Sequence, residues 1–167
     1  MLADNNSTKL ITPMKPAERL AELNIHLPPL PKPGGVYKPV VIAGGMAYVS
    51  GHVSRGADGQ LITGRVGKDL TLEQGKDAAR QVGLAILAAL QHELGSLNRV
   101  KRLVKSLGMV NAAPDFTQHP QVINGYSELM ADLFGPDNGV GARSAVGMGS
   151  LPNNVAVEIE AIFEVLP

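Results

Sequence analysis

The amino-acid sequence predicts a single α+β domain, a mixed and largely antiparallel sheet with two helices packed on one face. Residues 71–95 and 120–134 place apolar side chains at helical spacing, whereas residues 155–165 alternate apolar and acidic positions with the period of a half-buried strand. The helices alternate with hairpin-like segments more than with single strands. The resulting order, β-β-α-β-α-β-β, argues against a purely parallel sheet.

Residues 1–13 form a polar run with isolated Leu and Ile and read as a frayed tail. Ala17, Leu20, Ala21 and Leu23 then fit one short helix within residues 15–24. Residues 26–35 hold four prolines and end in Gly34-Gly35, an extended connector without regular hydrogen bonding of its own. Residues 1–35 are thus an accessory N-terminal piece of tail, short helix and Pro-rich connector. Residues 36–167 are the main domain.

Within that domain, Val40-Val41-Ile42 and the run from Met46 to Val49 favour strands and are split by Gly44-Gly45, the residues a two-residue hairpin turn requires. Residues 54–69 carry an Asp58-Gly59 turn and fit a second turn, a short irregular strand or a mobile loop. Thr71 and Gln74 make a capping box for the first long helix, Gly95 stops it, and Ala79, Val82, Gly83, Ile86, Leu87, Leu90 and Leu94 share its inward face. Its alanines and glycines suit a close approach to a sheet. Residues 100–111 follow as a strand. The second helix turns Val122, Ile123, Tyr126, Leu129, Met130 and Leu133 inward and closes at Gly135-Pro136. In the last strand Val155, Val157, Ile159, Ala161, Phe163 and Val165 face one way and Glu158, Glu160 and Glu164 the other.

Composition narrows the chemistry. The 167 residues are 44% hydrophobic, carry 15 basic against 15 acidic side chains and include no cysteine. A chain of this length buries roughly 70% of its extended surface, so no disulfide or structural metal is needed. The missing cysteines exclude thiolate catalysis, disulfide redox chemistry and thiolate zinc sites. Zero formal net charge leaves no general attraction for nucleic acid or an anionic membrane. A cytoplasmic protein is expected, since no window approaches the ~20 apolar residues of a membrane span and the N-terminus lacks a signal-peptide core. The near-neutral surface hints at self-association.

Few residues are placed for chemistry. Arg143 follows a glycine-rich loop at the start of a strand and is the only Lys or Arg after Lys105, a setting suited to holding a planar carboxylate. Its bland alternative is an ion pair with Glu158 or Glu160 on a neighbouring strand. Glu158 and Glu160 resemble an acid/base pair, yet with Glu164 they also make a solvated stripe, or a face turned to another subunit. His26, His52, His92 and His119 show no metal-ligand spacing, and no cofactor is implied. The basic run from Arg99 to Lys105 lacks interleaved aromatics; an ion-pair ladder with an acidic strand explains it better than RNA does.

Taken together, Ala142-Arg143-Ser144-Ala145-Val146, Leu151-Pro152 and the run from Val157 to Ile162 resemble the signature of the RidA family, also called YjgF-type or endoribonuclease L-PSP proteins. The likeness extends back through Tyr126, Asn124, Val49-Ser50-Gly51 and Tyr37 and covers about residues 36–165. It implies a chorismate-mutase-like fold and a homotrimeric barrel with a ligand cleft at each subunit interface. It also implies hydrolysis of reactive 2-imino acids or their enamine tautomers, such as 2-iminobutanoate or 2-iminopropanoate, to 2-oxo acids and ammonia without a cofactor. By this resemblance Arg143 clamps the carboxylate and Glu158 positions a water, a group near Gly51 and the amide of Ala145 contact the ligand, and Tyr37 and Asn124 line the cleft. A non-catalytic carboxylate binder and an endoribonuclease are the competing activities. This chain has Ala145 where many relatives have cysteine, and Gly147-Met148-Gly149 where they have bulkier residues, which implies a roomier cleft and a different substrate side chain.

Overall fold

A computed structural model describes residues 14–167; the predicted tail, 1–13, lies outside the described residues. The elements are α1 (Pro16–Glu22), β1 (Val40–Ala43), β2 (Met46–Val53), α2 (Leu72–Leu94), β3 (Val100–Asn111), α3 (His119–Gly139), β4 (Ala142–Met148) and β5 (Val157–Val165). The five strands form one sheet in the order β1-β2-β5-β3-β4. Only β3 and β4 pair in parallel, joined by α3 as a crossover helix; the other three pairs are antiparallel. This is the mixed sheet expected, with α2 and α3 packed on each other and on one face.

Sequence accounts for the element boundaries. Gly44 and Gly45 take positive φ, which brings Ala43 opposite Met46 in a tight hairpin. Thr71 Oγ1 accepts from the Gln74 amide at 3.2 Å, Gln74 Oε1 accepts from the Thr71 amide at 2.9 Å, and Gly95 ends α2 at φ 76°. On the helix-covered side Ala47, Val49, Val157, Ile159, Ala161, Phe163 and Val165 are buried against Ile86, Leu90, Ile123, Tyr126 and Leu129. The opposite side is open. Tyr48 is exposed there, Glu160 with it, and Lys105, Ser144, Glu160 and Ile162 line a hollow of about 350 Å³.

Several expectations are corrected. The second helix breaks at Gly135, where φ 79° and ψ 169° are not helical, but Pro136 starts a further turn that runs to Gly139. The glycines of α2 do not serve an approach to the sheet: a Cβ on Gly83 would sit 2.9 Å from Leu129 and 3.2 Å from Tyr126 of α3, and one on Gly75 would meet Val66 at 3.0 Å and Val122 at 3.3 Å. Arg99 lies in a 3-10 turn and donates to the Leu94 and Leu166 carbonyls, so it is not part of the basic strand. Lys101 and Arg102 do form the acidic-strand ladder, both reaching Glu164 at 2.6 and 3.1 Å. Residues 54–69 are tied down by backbone bridges, Arg55 to Leu61, Thr63 to Val155 and Val66 to Ala112.

The N-terminal piece packs over the helices. Leu20 is buried, Ile25, Leu27 and Leu30 lie against the core, and Arg19 Nε donates to the Asp132 carbonyl on α3 at 3.0 Å.

Candidate functional site

The site residues fall into two groups, each placed by a different part of the sheet. The first is built where α3 crosses the β3–β4 edge. Gly108 on β3 has no Cβ, and the Ile123 side chain takes that space, at 2.6 Å from where a Cβ would be. Two residues away along β3, the buried Ser106 hydroxyl meets the Tyr126 hydroxyl at 3.0 Å. Burial drives the Tyr126 phenol far up from its usual range, outweighing the Ser106 hydrogen bond, so this hydroxyl stays protonated. These two contacts fix the height and rotation of α3, and they present Asn124 and Ser127, one turn apart, to the side of β4.

Arg143 stands opposite Ser106 in the parallel register, on the helix side of the sheet. Its Nη1 donates to Asn124 Oδ1 at 2.8 Å and to Ser127 Oγ at 3.0 Å. Both bonds use the same nitrogen. Among the described residues no carboxylate pairs with Arg143, and Nε and Nη2 donate to no side chain or carbonyl. The expected alternative, an ion pair with Glu158 or Glu160, does not form because β3, not β5, is the neighbour of β4. Ala145 follows on the same side of β4, beside Gly108.

The second group lies on β2 and β5. Between Val49 and His52 the register shifts by one residue, because these two oppose Ala161 and Ile159. That bulge at Ser50-Gly51 rotates the strand locally. It brings Gly51 onto Glu158, so that a Cβ on Gly51 would strike the Glu158 carboxylate. Ser50 also ties in the segment before β1, its Oγ donating to the Lys38 carbonyl at 2.7 Å and its amide to the Pro39 carbonyl at 2.9 Å. Tyr37 therefore sits just before the first strand, next to this group, and is half exposed. Burial first, and the nearby Glu160 charge second, raise the Glu158 carboxyl above the usual carboxylate range. His52 is held below its usual range by burial, and its Nδ1 lies 2.7 Å from the Ser50 carbonyl.

Glu158 alternates with the fully buried Val157 and Ile159, so it points to the open face of the sheet, whereas Arg143 shares the helix-covered face with Ser106. Glu158 opposes Met109 and Arg143 opposes Ser106, three residues away on β3. Arg143, Asn124 and Ala145 are thus brought together, as are Gly51, Glu158 and the strand leaving Tyr37. The two groups are not brought to each other within one chain. Ser127 went unrecognised in the sequence; its signal was the i, i+3 spacing from Asn124. Of the small residues from which a roomier cleft is expected, Gly147 has the His119 ring above it, whereas a Cβ on Gly149 would meet nothing within 4 Å. Among the described residues no cluster of three His, Asp or Glu side chains is placed to hold a metal ion, and no helix is long and apolar enough to cross a membrane.

Comparison with known proteins agrees with this architecture. Residues 17–162 match the family described as "YjgF/chorismate_mutase-like, putative endoribonuclease". Protein TCP17 of Trypanosoma cruzi is 40% identical over 148 residues, covering 89% of this chain and 92% of that protein. A RutC family protein of Pyrococcus horikoshii is 32% identical over 133 residues, covering 79% and 89%. The crystal structure of Atu1372 from Agrobacterium tumefaciens, a protein of unknown function, superposes with a TM-score of 0.81 at 38% identity, covering 90% of this chain and 94% of that one. The chain belongs to the RidA/YjgF-type family, also described as endoribonuclease L-PSP proteins.

Proposed function

We propose that the protein hydrolyses small 2-imino acids, or their enamine tautomers, to 2-oxo acids and ammonia at a site shared between two copies of the chain. The observation that carries this is the state of Arg143. Asn124 and Ser127 both hold Nη1, which leaves the Nε–Nη2 edge as a fixed pair of donors matched to a carboxylate. A 2-imino acid bound there has its C=N carbon fixed beyond the carboxylate, near the Ala145 amide.

Chemistry then needs little more than water and one proton relay. Water adds its oxygen to C2 of the imine while the nitrogen is protonated; the resulting carbinolamine loses ammonia as the C2–O bond becomes the carbonyl. Glu158 suits the relay, since a carboxyl with a raised pKa accepts a proton from water and returns it to the leaving nitrogen. One chain keeps Glu158 on the other face of the sheet from Arg143. In the homotrimer that we propose, the Arg143 group of one copy faces the Gly51–Glu158 group of the next, with Tyr37 on the latter side.

Imine decay, generated in situ by an amino-acid oxidase, tests this. Wild type should accelerate decay, Arg143→Ala and Glu158→Gln should each be nearly inactive, and re-assembled mixtures of the two variants should recover about a quarter of the wild-type rate. No acceleration by wild type would sink the activity. Binding of a 2-oxo acid without acceleration would leave a carboxylate-binding protein. A mixture as inactive as its components would sink the shared site.

A further inference from the structure

The strip that carries Arg143 does not end at Ala145. α3 and β4 run in opposite directions, so the start of the helix lies beside the end of the strand, and the helix-side positions of β4 meet α3 in sequence. Arg143 meets Asn124 and Ser127, Ala145 lies beside Gly108 where Ile123 sits, and Gly147 meets His119. A Cβ on Gly147 would collide with the imidazole, Nε2 first, with Cδ2 and Cε1 each 3.1 Å away. The ring is itself held: Phe116 packs against it edge-on, with centroids 5.4 Å apart and planes at 87°. Phe116 is seated in turn over Gly67, where a Cβ would come within 2.8 Å of Cδ2. His119 is the first residue of α3 and is followed by Pro120, which leaves the backbone there little freedom.

We propose that His119 is the specificity-determining residue of the cleft. This rests on the reading of Arg143 as the carboxylate clamp. With the carboxylate at Arg143 and the reacting carbon above Ala145, the substrate side chain runs along β4 toward Gly147. The Cα atoms of Ala145 and Gly147 are about 7 Å apart along an extended strand, a span matched by three or four heavy atoms beyond the reacting carbon. The side chain then ends against an imidazole nitrogen. Such an end wall favours 2-imino acids with a short side chain ending in a hydrogen-bonding group, over apolar ones of equal size, because an apolar end leaves the ring nitrogen without its partner. Gly147 is the companion of His119, since any larger residue displaces the ring.

Asparagine and leucine have side chains of nearly equal size and opposite polarity, so their imines, with the alanine imine as a reference, are suitable probes. Wild type should prefer the asparagine-derived imine to the leucine-derived one by about 10-fold or more in kcat/KM. His119→Ala should abolish that ratio while the alanine imine is still turned over, and His119→Gln, which restores a hydrogen-bonding end, should recover it. A ratio near one in wild type, or a ratio unchanged in His119→Ala, overturns the proposal while leaving the deaminase reading intact. If wild type accelerates no imine, the deaminase reading fails, and the same ratio is then read from calorimetric binding of the corresponding 2-oxo acids. A His119-dependent ratio there supports the end wall by itself; no binding, or a ratio that ignores His119, overturns it.

Discussion

Gly51 and Glu158 touch across the β2–β5 pair so closely that a Cβ on Gly51 would lie 3.1 Å from Glu158 Cδ and closer still to Oε1. The bulge in β2 creates this contact, because without the extra residue between Val49 and His52 the two strands would stay in simple register. The colliding atoms are the far end of a flexible side chain, so the fold has an inexpensive escape. Gly51→Ala should therefore leave the melting temperature within a few degrees of wild type and lower kcat by about 10-fold, as the carboxylate swings off its position. Unchanged kcat in a steady-state imine assay would remove Glu158 from the reaction.

A second prediction concerns pH. The folded protein raises the Glu158 pKa, so its protonated form is the one the fold favours. That stabilisation is complete below the unfolded value, near 4.3, and is lost as pH rises through the folded value; at neutral pH the ionised carboxylate is a net burden on the fold. Glu158→Gln should then be more stable than wild type at pH 7 and equal to it near pH 3. Urea melts at the two pH values measure this, and a variant less stable at pH 7 would contradict the burial of that carboxyl.

Arg143 depends on two acceptors, so its orientation should fail in stages. A hydrogen bond to a charged group contributes about 1.5–3 kcal/mol, which predicts that Asn124→Ala raises KM about 10-fold or more with a smaller change in kcat. Ser127→Ala should do the same more weakly, and Ser127→Thr, which keeps the hydroxyl, should restore KM. Equal loss of kcat and no change in KM would mean that the pair does not aim the guanidinium at a ground-state carboxylate.

The contact between α2 and α3 makes a fourth prediction. A Cβ on Gly125 would run into the backbone carbonyl of Lys76, which cannot swing aside. Gly125→Ala should cost about 3 kcal/mol or prevent folding. Gly149→Ala, where nothing lies within 4 Å, should change stability by less than about 0.5 kcal/mol. Thermal melts of the two proteins test the contrast, and similar melting temperatures would show that the helices separate freely.

Much of this was legible in the sequence where the physics is local. The Thr71–Gln74 box, the Gly95 stop and the alternation along β5 depend on residues a few positions apart, and they occur where expected. The singular Arg143 was visible for the same reason. What the sequence did not disclose depends on strand order. That β4 lies outside β3, and so separates Arg143 from Glu158, follows from a parallel crossover that no local pattern encodes. The bulge at Ser50-Gly51 and the Ile123–Gly108 contact join segments far apart in the chain. Arg99 escapes the alternation of the basic strand because a 3-10 turn takes it up before the strand begins. The break at Gly135 is local and legible, whereas the turn that Pro136 resumes depends on the burial of Gly139 at its far end.

The opposed faces of Arg143 and Glu158 bear on inheritance. In the proposed ring of three, each chain lends its guanidinium to one cleft and its carboxylate to another. A single copy lacking both groups would silence two clefts of the three, so a double-null allele expressed beside the normal one would depress activity by more than its share of the protein. A lesion in either group alone would spoil one cleft for each faulty copy present. Dominance would then be a property of whether a mutation strikes one face of the sheet or both.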